Sequence, residues 1–273
     1  AVLGRTRDAL ADALKALEVA SGQVDAFQWG RLRQFAAIQH QAAGNNREAI
    51  KVAQGIVSDG LKGGALNASR FIAGLYAAMG DISQADAYAR RVASLVTEAR
   101  GSPHPSWRST YPIYGKSWEA DAAEARAQIF ELRGQYKEAA AEYERSMAFR
   151  RASLPELPKM HFPPPPEQVL LVADRLQLSI AKTKARQGAL AQAEADARKA
   201  LLAVLKRQGK YNPQTTPFIV GLAEILIEQG RYAEAEKLVR SALDVRETLA
   251  MADGTPDSAR IIRQLGTVLV LQG

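Results

Sequence analysis

Residues 230–250 read GRYAEAEKLVRSALDVRETLA, and their opening recurs four times upstream. GNNREAIKVA starts at Gly44, GDISQADAYA at Gly80, GQYKEAAAEY at Gly134 and GALAQAEADA at Gly188. Five residues after each Gly stands an Ala: Ala49, Ala85, Ala139, Ala193 and Ala235. Seven residues before each Gly stands another: Ala37, Ala73, Ala127, Ala181 and Ala223. The front half of the pattern appears once more as Gly266 and Gly273, and the back half as Gly4 and Ala9. An irregular alanine-rich bundle does not explain this common phase.

The residue types have a physical reading. A Gly at the end of a helix adopts the left-handed conformation that a tight reversal needs. The next helix then folds back antiparallel, and two helices approach closely only where small side chains meet at their crossing. Larger apolar residues flank these points: Ile72, Tyr76, Ile180, Leu222, Leu226, Leu265 and Leu269 on first helices, Leu201 and Leu243 on second ones. The pattern predicts a second helix over 5–20, then pairs at 24–43 and 46–60, 64–79 and 82–100, 117–133 and 136–152, 166–187 and 190–208, 214–229 and 232–250. A last helix is expected over 256–272.

Composition agrees with helices. Hydrophobic residues make up 47% of the 273, enough for a substantial core. Ala and Leu dominate, with Gln, Glu, Arg and Lys between them, all good helix formers. Cysteine is absent, which excludes disulfides, thiolate metal sites and a cysteine nucleophile. Lys plus Arg is 36 against 29 for Asp plus Glu, a formal charge of +7. That excess allows a preference for acidic groups on a partner but forms no basic cluster that would argue for nucleic acid. No apolar run reaches the roughly 18 residues of a membrane span. No secretory leader is visible, and a chain without thiols suits cytosol or periplasm, with the cytosol favoured.

A small residue, Gly seven later and Ala five after that resembles the motif of the tetratricopeptide repeat family. The match runs through nearly the whole chain. The resemblance implies an all-α fold, a right-handed solenoid of antiparallel helix pairs with about six units over 1–273, and a role in binding protein or peptide. Successive glycines 4, 44, 80, 134, 188, 230 and 273 lie 40, 36, 54, 54, 42 and 43 residues apart. The last units are similar to the longer, 42-residue repeats of kinesin light chains and of bacterial multi-repeat proteins. Some of the latter precede a caspase-like (CHAT) domain, and this context suggests a fragment of a longer chain. The sequence opens and closes inside a unit, which leaves Leu265, Val268, Leu269 and Leu271 without an expected partner.

On the family's pattern the first helices line the concave face. Inward positions fall ten, six and two residues before the turn Gly, which picks out Gln34 and Ile38, Arg70 and Gly74, Glu124 and Gln128, Leu178 and Lys182, Val220 and Glu224, Arg263 and Thr267. Arg31, Asn67, Arg175, Arg186 and Arg260 are further inward candidates. Such arginines hold a carboxylate in a two-point fork, although any one of them reads equally well as a solvated helix face. The family's clamp for C-terminal carboxylates needs a Lys and an Asn four apart, and Gly74 after Arg70 and Leu178 before Lys182 do not supply it.

Two segments interrupt the rhythm as long connections, 101–116 (GSPHPSWRSTYPIYGK) and 153–167 (SLPELPKMHFPPPPE). Pro163 to Pro166 enforce an extended chain. Trp107, Tyr111, Tyr114, Met160 and Phe162 either pack back on the solenoid edge or await a partner. Equivalent positions in adjoining units place both segments on one edge, with their aromatics in one cluster. The histidines, His40, His104 and His161, have no metal-ligand spacing, and no nucleophile motif, P-loop or dinucleotide fingerprint occurs. The sequence therefore points to a non-enzymatic interaction scaffold without cofactor or metal. It binds a protein or peptide in its groove, with neither nucleic acid nor membrane as partner. The alternative is the regulatory arm of a larger effector such as a caspase-like protease.

Overall fold

The computed structural model describes residues 2–58, 62–160, 163–250 and 256–273, and every regular element among them is helical. The helices are α1 (Val2–Ala20), α2 (Ala26–Ala42), α3 (Asn46–Ser58), α4 (Lys62–Ala78), α5 (Ile82–Gly101) and α6 (Pro105–Leu132). They continue as α7 (Tyr136–Ser153), α8 (Pro166–Arg186), α9 (Leu190–Gln208), α10 (Thr216–Glu228), α11 (Tyr232–Thr248) and α12 (Pro256–Gln272). A 3-10 turn, Leu154–Lys159, follows α7. Elsewhere than at α6 the boundaries fall within a few residues of those the repeat predicts.

The turn inside each pair is the same five times. Gly44, Gly80, Gly134, Gly188 and Gly230 sit at φ between 72° and 84°. Each Gly N–H donates to the carbonyl three residues back, and the next N–H to the carbonyl five back, as Gly44 to Gln41 and Asn45 to His40. These ten bonds measure 2.8–3.1 Å and close the orphaned carbonyls of the first helix in a Schellman turn. The ten alanines flanking the glycines are all at most 3 % exposed. They are the crossing points at which the two helix backbones of a pair come together.

The helices form two compact units, Gly4–Pro163 and Pro164–Gly273, the latter grouped with the first three residues. In Gly4–Pro163, from α2 onward, each helix packs on the next, and α4 also packs on α6. Its interior is divided. One cluster holds Ile50, Ile72 and Leu75, a second Ala85, Ala89 and Ile129, and a third Leu66, Val92, Trp107 and Trp118. In Pro164–Gly273 the same succession runs from α8 to α12, with α8 also against α10. Here one continuous core extends from Leu171 to Val268. Its centre is α10, TPFIVGLAEILIE, which touches α8, α9 and α11 and is therefore apolar on nearly every side. Phe218, Leu222, Ile225 and Leu226 are fully enclosed there, each contributing roughly 1.5–3 kcal/mol of burial.

The connection expected over 101–116 is a helix for most of its length. α6 starts at Pro105 and runs through Pro112 and Gly115. Pro at the first helical position costs nothing, because its missing N–H would be unpaired anyway. Gly115 serves close packing rather than a turn: a Cβ there would lie 2.8 Å from the Tyr111 ring. The breakers that suggest a loop are thus absorbed into the helix by the aromatic packing beneath it.

Candidate interaction surface

The first-helix positions expected to face inward carry charges that pair across neighbouring first helices. In Pro164–Gly273, Lys182 on α8 lies 2.9 Å from Glu224 on α10, and Arg260 on α12 donates to the same carboxylate at 2.8 Å. One turn further along, Arg186 meets Glu228 at 3.2 Å. Burial pushes the Glu224 carboxyl up, but Lys182 and Arg260 outweigh it and hold it below the usual carboxylate range. Arg175 donates to Gln214, and Arg263 is exposed. The Gln264 amide donates 3.3 Å to the Val220 carbonyl, tying α12 to α10.

Gly4–Pro163 repeats the device with an added arginine. Arg70 on α4 lies 3.8 Å from Asp121 on α6. Arg150, reaching from α7, donates to Asp121 at 2.9 Å and to Glu124 at 2.8 Å. Burial disfavours the charge on Arg150, and the two carboxylates outweigh it, so its pKa lies above the ordinary arginine value. Arg31, Gln34 and Asn67 are exposed and Gln128 is half-buried. Sequence reasoning singled out the cations and missed the pairing role of Asp121, Glu228 and Arg150. Glu224 stands at the same repeat position as Lys182, a complementarity that reading successive units against each other would have found.

The aromatic residues of 101–116 form a cluster whose hub, Trp118, lies just beyond it. Trp107 meets Trp118 edge-on at 5.3 Å, Tyr114 stacks on it at 5.9 Å and Tyr111 lies tilted at 6.2 Å. The Tyr111 hydroxyl accepts from Arg100 Nε at 2.9 Å and donates to Glu119 at 2.8 Å. Trp107 and Trp118 are buried and Tyr111 and Tyr114 half-buried, which is packing, not an open contact site. The 3-10 turn of 153–167 packs on α6 and α7. Phe162, also expected in the cluster, lies outside the described residues, as does His161.

His40 is buried against its helix neighbours and His104 is exposed. Among the described residues no three His, Asp or Glu side chains are grouped as a metal site requires. No described helix is long and apolar enough to cross a membrane.

Comparison with known proteins agrees with this geometry. The tetratricopeptide repeat family model matches residues 220–250, most of α10 and all of α11. BtubC (BKLC) from P. vanneervenii superposes with a TM-score of 0.50 at 15% identity, over 98% of this chain and 84% of that one. A kinesin light chain protein of nearly identical TPR-like repeats from Podosopora anserina also gives 0.50, at 18% identity, over 81% of this chain and 96% of that one. At these identities the likeness is one of fold. No curated protein matches the sequence. The chain is thus an all-α protein of antiparallel helix pairs, with a fold like that of tetratricopeptide solenoids. The α10–α11 pair carries the family's repeat, and the four earlier pairs share its turn and its crossing residues.

Proposed function

We propose that this chain is a non-catalytic scaffold that holds a peptide or a partner domain against the inward faces of its first helices. The observation that carries the reading is the charge matching of those faces. Lys182, Glu224 and Arg260 in one unit, and Arg70, Asp121, Arg150 and Glu124 in the other, are fixed by one another. A surface of mutually held donors and acceptors is pre-organised, so a partner binds it without a large cost of ordering side chains. Exposed Gln34 and Asn67 add adaptable polar contacts in Gly4–Pro163, and exposed Arg263 does so in Pro164–Gly273. The near-neutral balance favours partners with mixed polar groups over strongly acidic ones. No observation favours the regulatory arm of a caspase-like effector.

The reading is tested by Asn67→Trp, which fills the surface from an exposed position without touching the core. Partner capture from an extract of the source organism should be lost while the thermal midpoint stays within about a degree of wild type. Capture unchanged by Asn67→Trp and by a matching Arg263→Trp would remove the inward face as the binding surface.

A further inference from the structure

We propose that the groove between α3 and α5, on the second-helix side of Gly4–Pro163, docks an acidic segment of another polypeptide through Arg91 and Tyr88. The proposal does not rest on the inward-face reading and concerns different side chains. The groove has a volume of about 590 Å³ and is lined by Gln54, Val57 and Ser58 from α3 and by Ala87, Tyr88 and Arg91 from α5. α4 packs on both helices.

The chemistry of the wall is one-sided. Gln54 Nε2 donates to the Tyr88 hydroxyl at 3.1 Å, which leaves the phenolic O–H as a donor. Ser58 already donates its hydroxyl to the Gly55 carbonyl at 2.9 Å. Arg91 is exposed and contributes a planar fork of N–H groups one helical turn from Tyr88. Val57, Ala87 and the tyrosine ring supply apolar surface beside these donors. Tyr88 is held in place, since it stacks on Tyr76 at 5.9 Å and packs on the cluster of Ile72 and Leu75. Fixed donors beside an apolar strip suit a carboxylate side chain with an aliphatic neighbour.

The surrounding charge has the complementary sign. α3 and α5 carry five cationic side chains and three carboxylates between them, and of these cations Arg100 is taken up by Glu119 of α6. One of those carboxylates, Asp86, is already shared by Arg90 at 3.2 Å and Arg133 at 2.9 Å. Within the same unit the cation Arg70 faces Asp121, whereas Arg91 is exposed on the groove wall and available to a carboxylate. The groove lies open between two parallel ridges, which suits an extended segment crossing it more than a small molecule enclosed in it.

The test uses the full chain and a fluorescein-labelled peptide of alternating Glu and Leu, with Gln/Leu and Lys/Leu twins, in fluorescence polarisation. The Glu/Leu peptide should bind and weaken as salt rises. Arg91→Glu should weaken it on the order of tenfold or more, and Tyr88→Phe roughly threefold. Ala87→Trp, an exposed position, should block the groove while leaving the circular dichroism melt unchanged. Failure of the Glu/Leu peptide to bind, or equal binding of the Gln/Leu twin, overturns the proposal. So does a silent Arg91→Glu. Loss on Asn67→Trp with Ala87→Trp silent would place the acidic segment on the inward face instead, and the proposal would be wrong while the scaffold reading stood.

Discussion

Gly134 sits at φ +72° between α6 and α7, whereas Gly74 lies within α4 with open space where a Cβ would go. The same residue type therefore has opposite effects at the two places. Gly134→Ala forces an L side chain into the left-handed region and should cost about 1–2 kcal/mol. Gly74→Ala only removes backbone freedom from the unfolded chain and should gain about 0.5–1 kcal/mol. Chemical denaturation measures both, and a stabilised Gly134→Ala would mean that the turn is not what joins the pair. The crossing alanines are equally specific. Ala139 and Ala193 are fully buried, so Leu at either overpacks the helix contact and should destabilise by roughly 1–3 kcal/mol. Unchanged midpoints in both variants would show the repeat phase to be misplaced.

Two elements show how local sequence is overridden or confirmed by packing. α6 continues through Pro112 because Trp107, Tyr111 and Tyr114 gather on Trp118 and hold its first turns against α5. Trp118→Ala should cost about 3–5 kcal/mol and expose the amides of 105–116 to faster hydrogen exchange; protection equal to wild type would contradict the role given to the cluster. α9 is tied to the turn between α10 and α11 through Glu194, which accepts from Arg198 at 2.8 Å, Gln229 at 3.0 Å and Arg231 at 2.6 Å. Burial raises the Glu194 carboxyl, and these three donors outweigh it and bring it down to about 2. An unperturbed glutamate titrates near about 4.3, so the stabilising charge is fully present above that pH and is lost as pH falls toward 2. Glu194→Gln should flatten the fall of the melting temperature across that window, and an unaltered acid limb would show that the carboxylate is not held this way. The pairs, their turns and their crossing points were legible in the sequence because Gly and Ala have no substitutes there. α6 was not, since Pro103, Pro105, Pro112 and Gly115 carry strong local signals that only the tertiary contact with Trp118 reverses. The inward charges were legible as residues but not as pairs, because pairing depends on the stagger between successive first helices.

For the molecule as a whole, 36 cations stand against 29 carboxylates. In Pro164–Gly273, Lys182 and Arg260 share Glu224 and Arg186 pairs with Glu228, while in Gly4–Pro163 Arg91 is exposed. On the proposed reading the chain selects partners by shape and polar complementarity on a fixed surface. Site-specific photo-crosslinking tests this most directly. A photoreactive residue is placed in turn at the exposed inward positions Gln34 and Asn67 and at the exposed second-helix positions Lys137 and Glu144, and adducts formed in an extract of the source organism are sequenced. The account predicts that one and the same partner segment is captured from Gln34 and Asn67 and not from Lys137 or Glu144. Capture from Lys137 and Glu144 alone would contradict it.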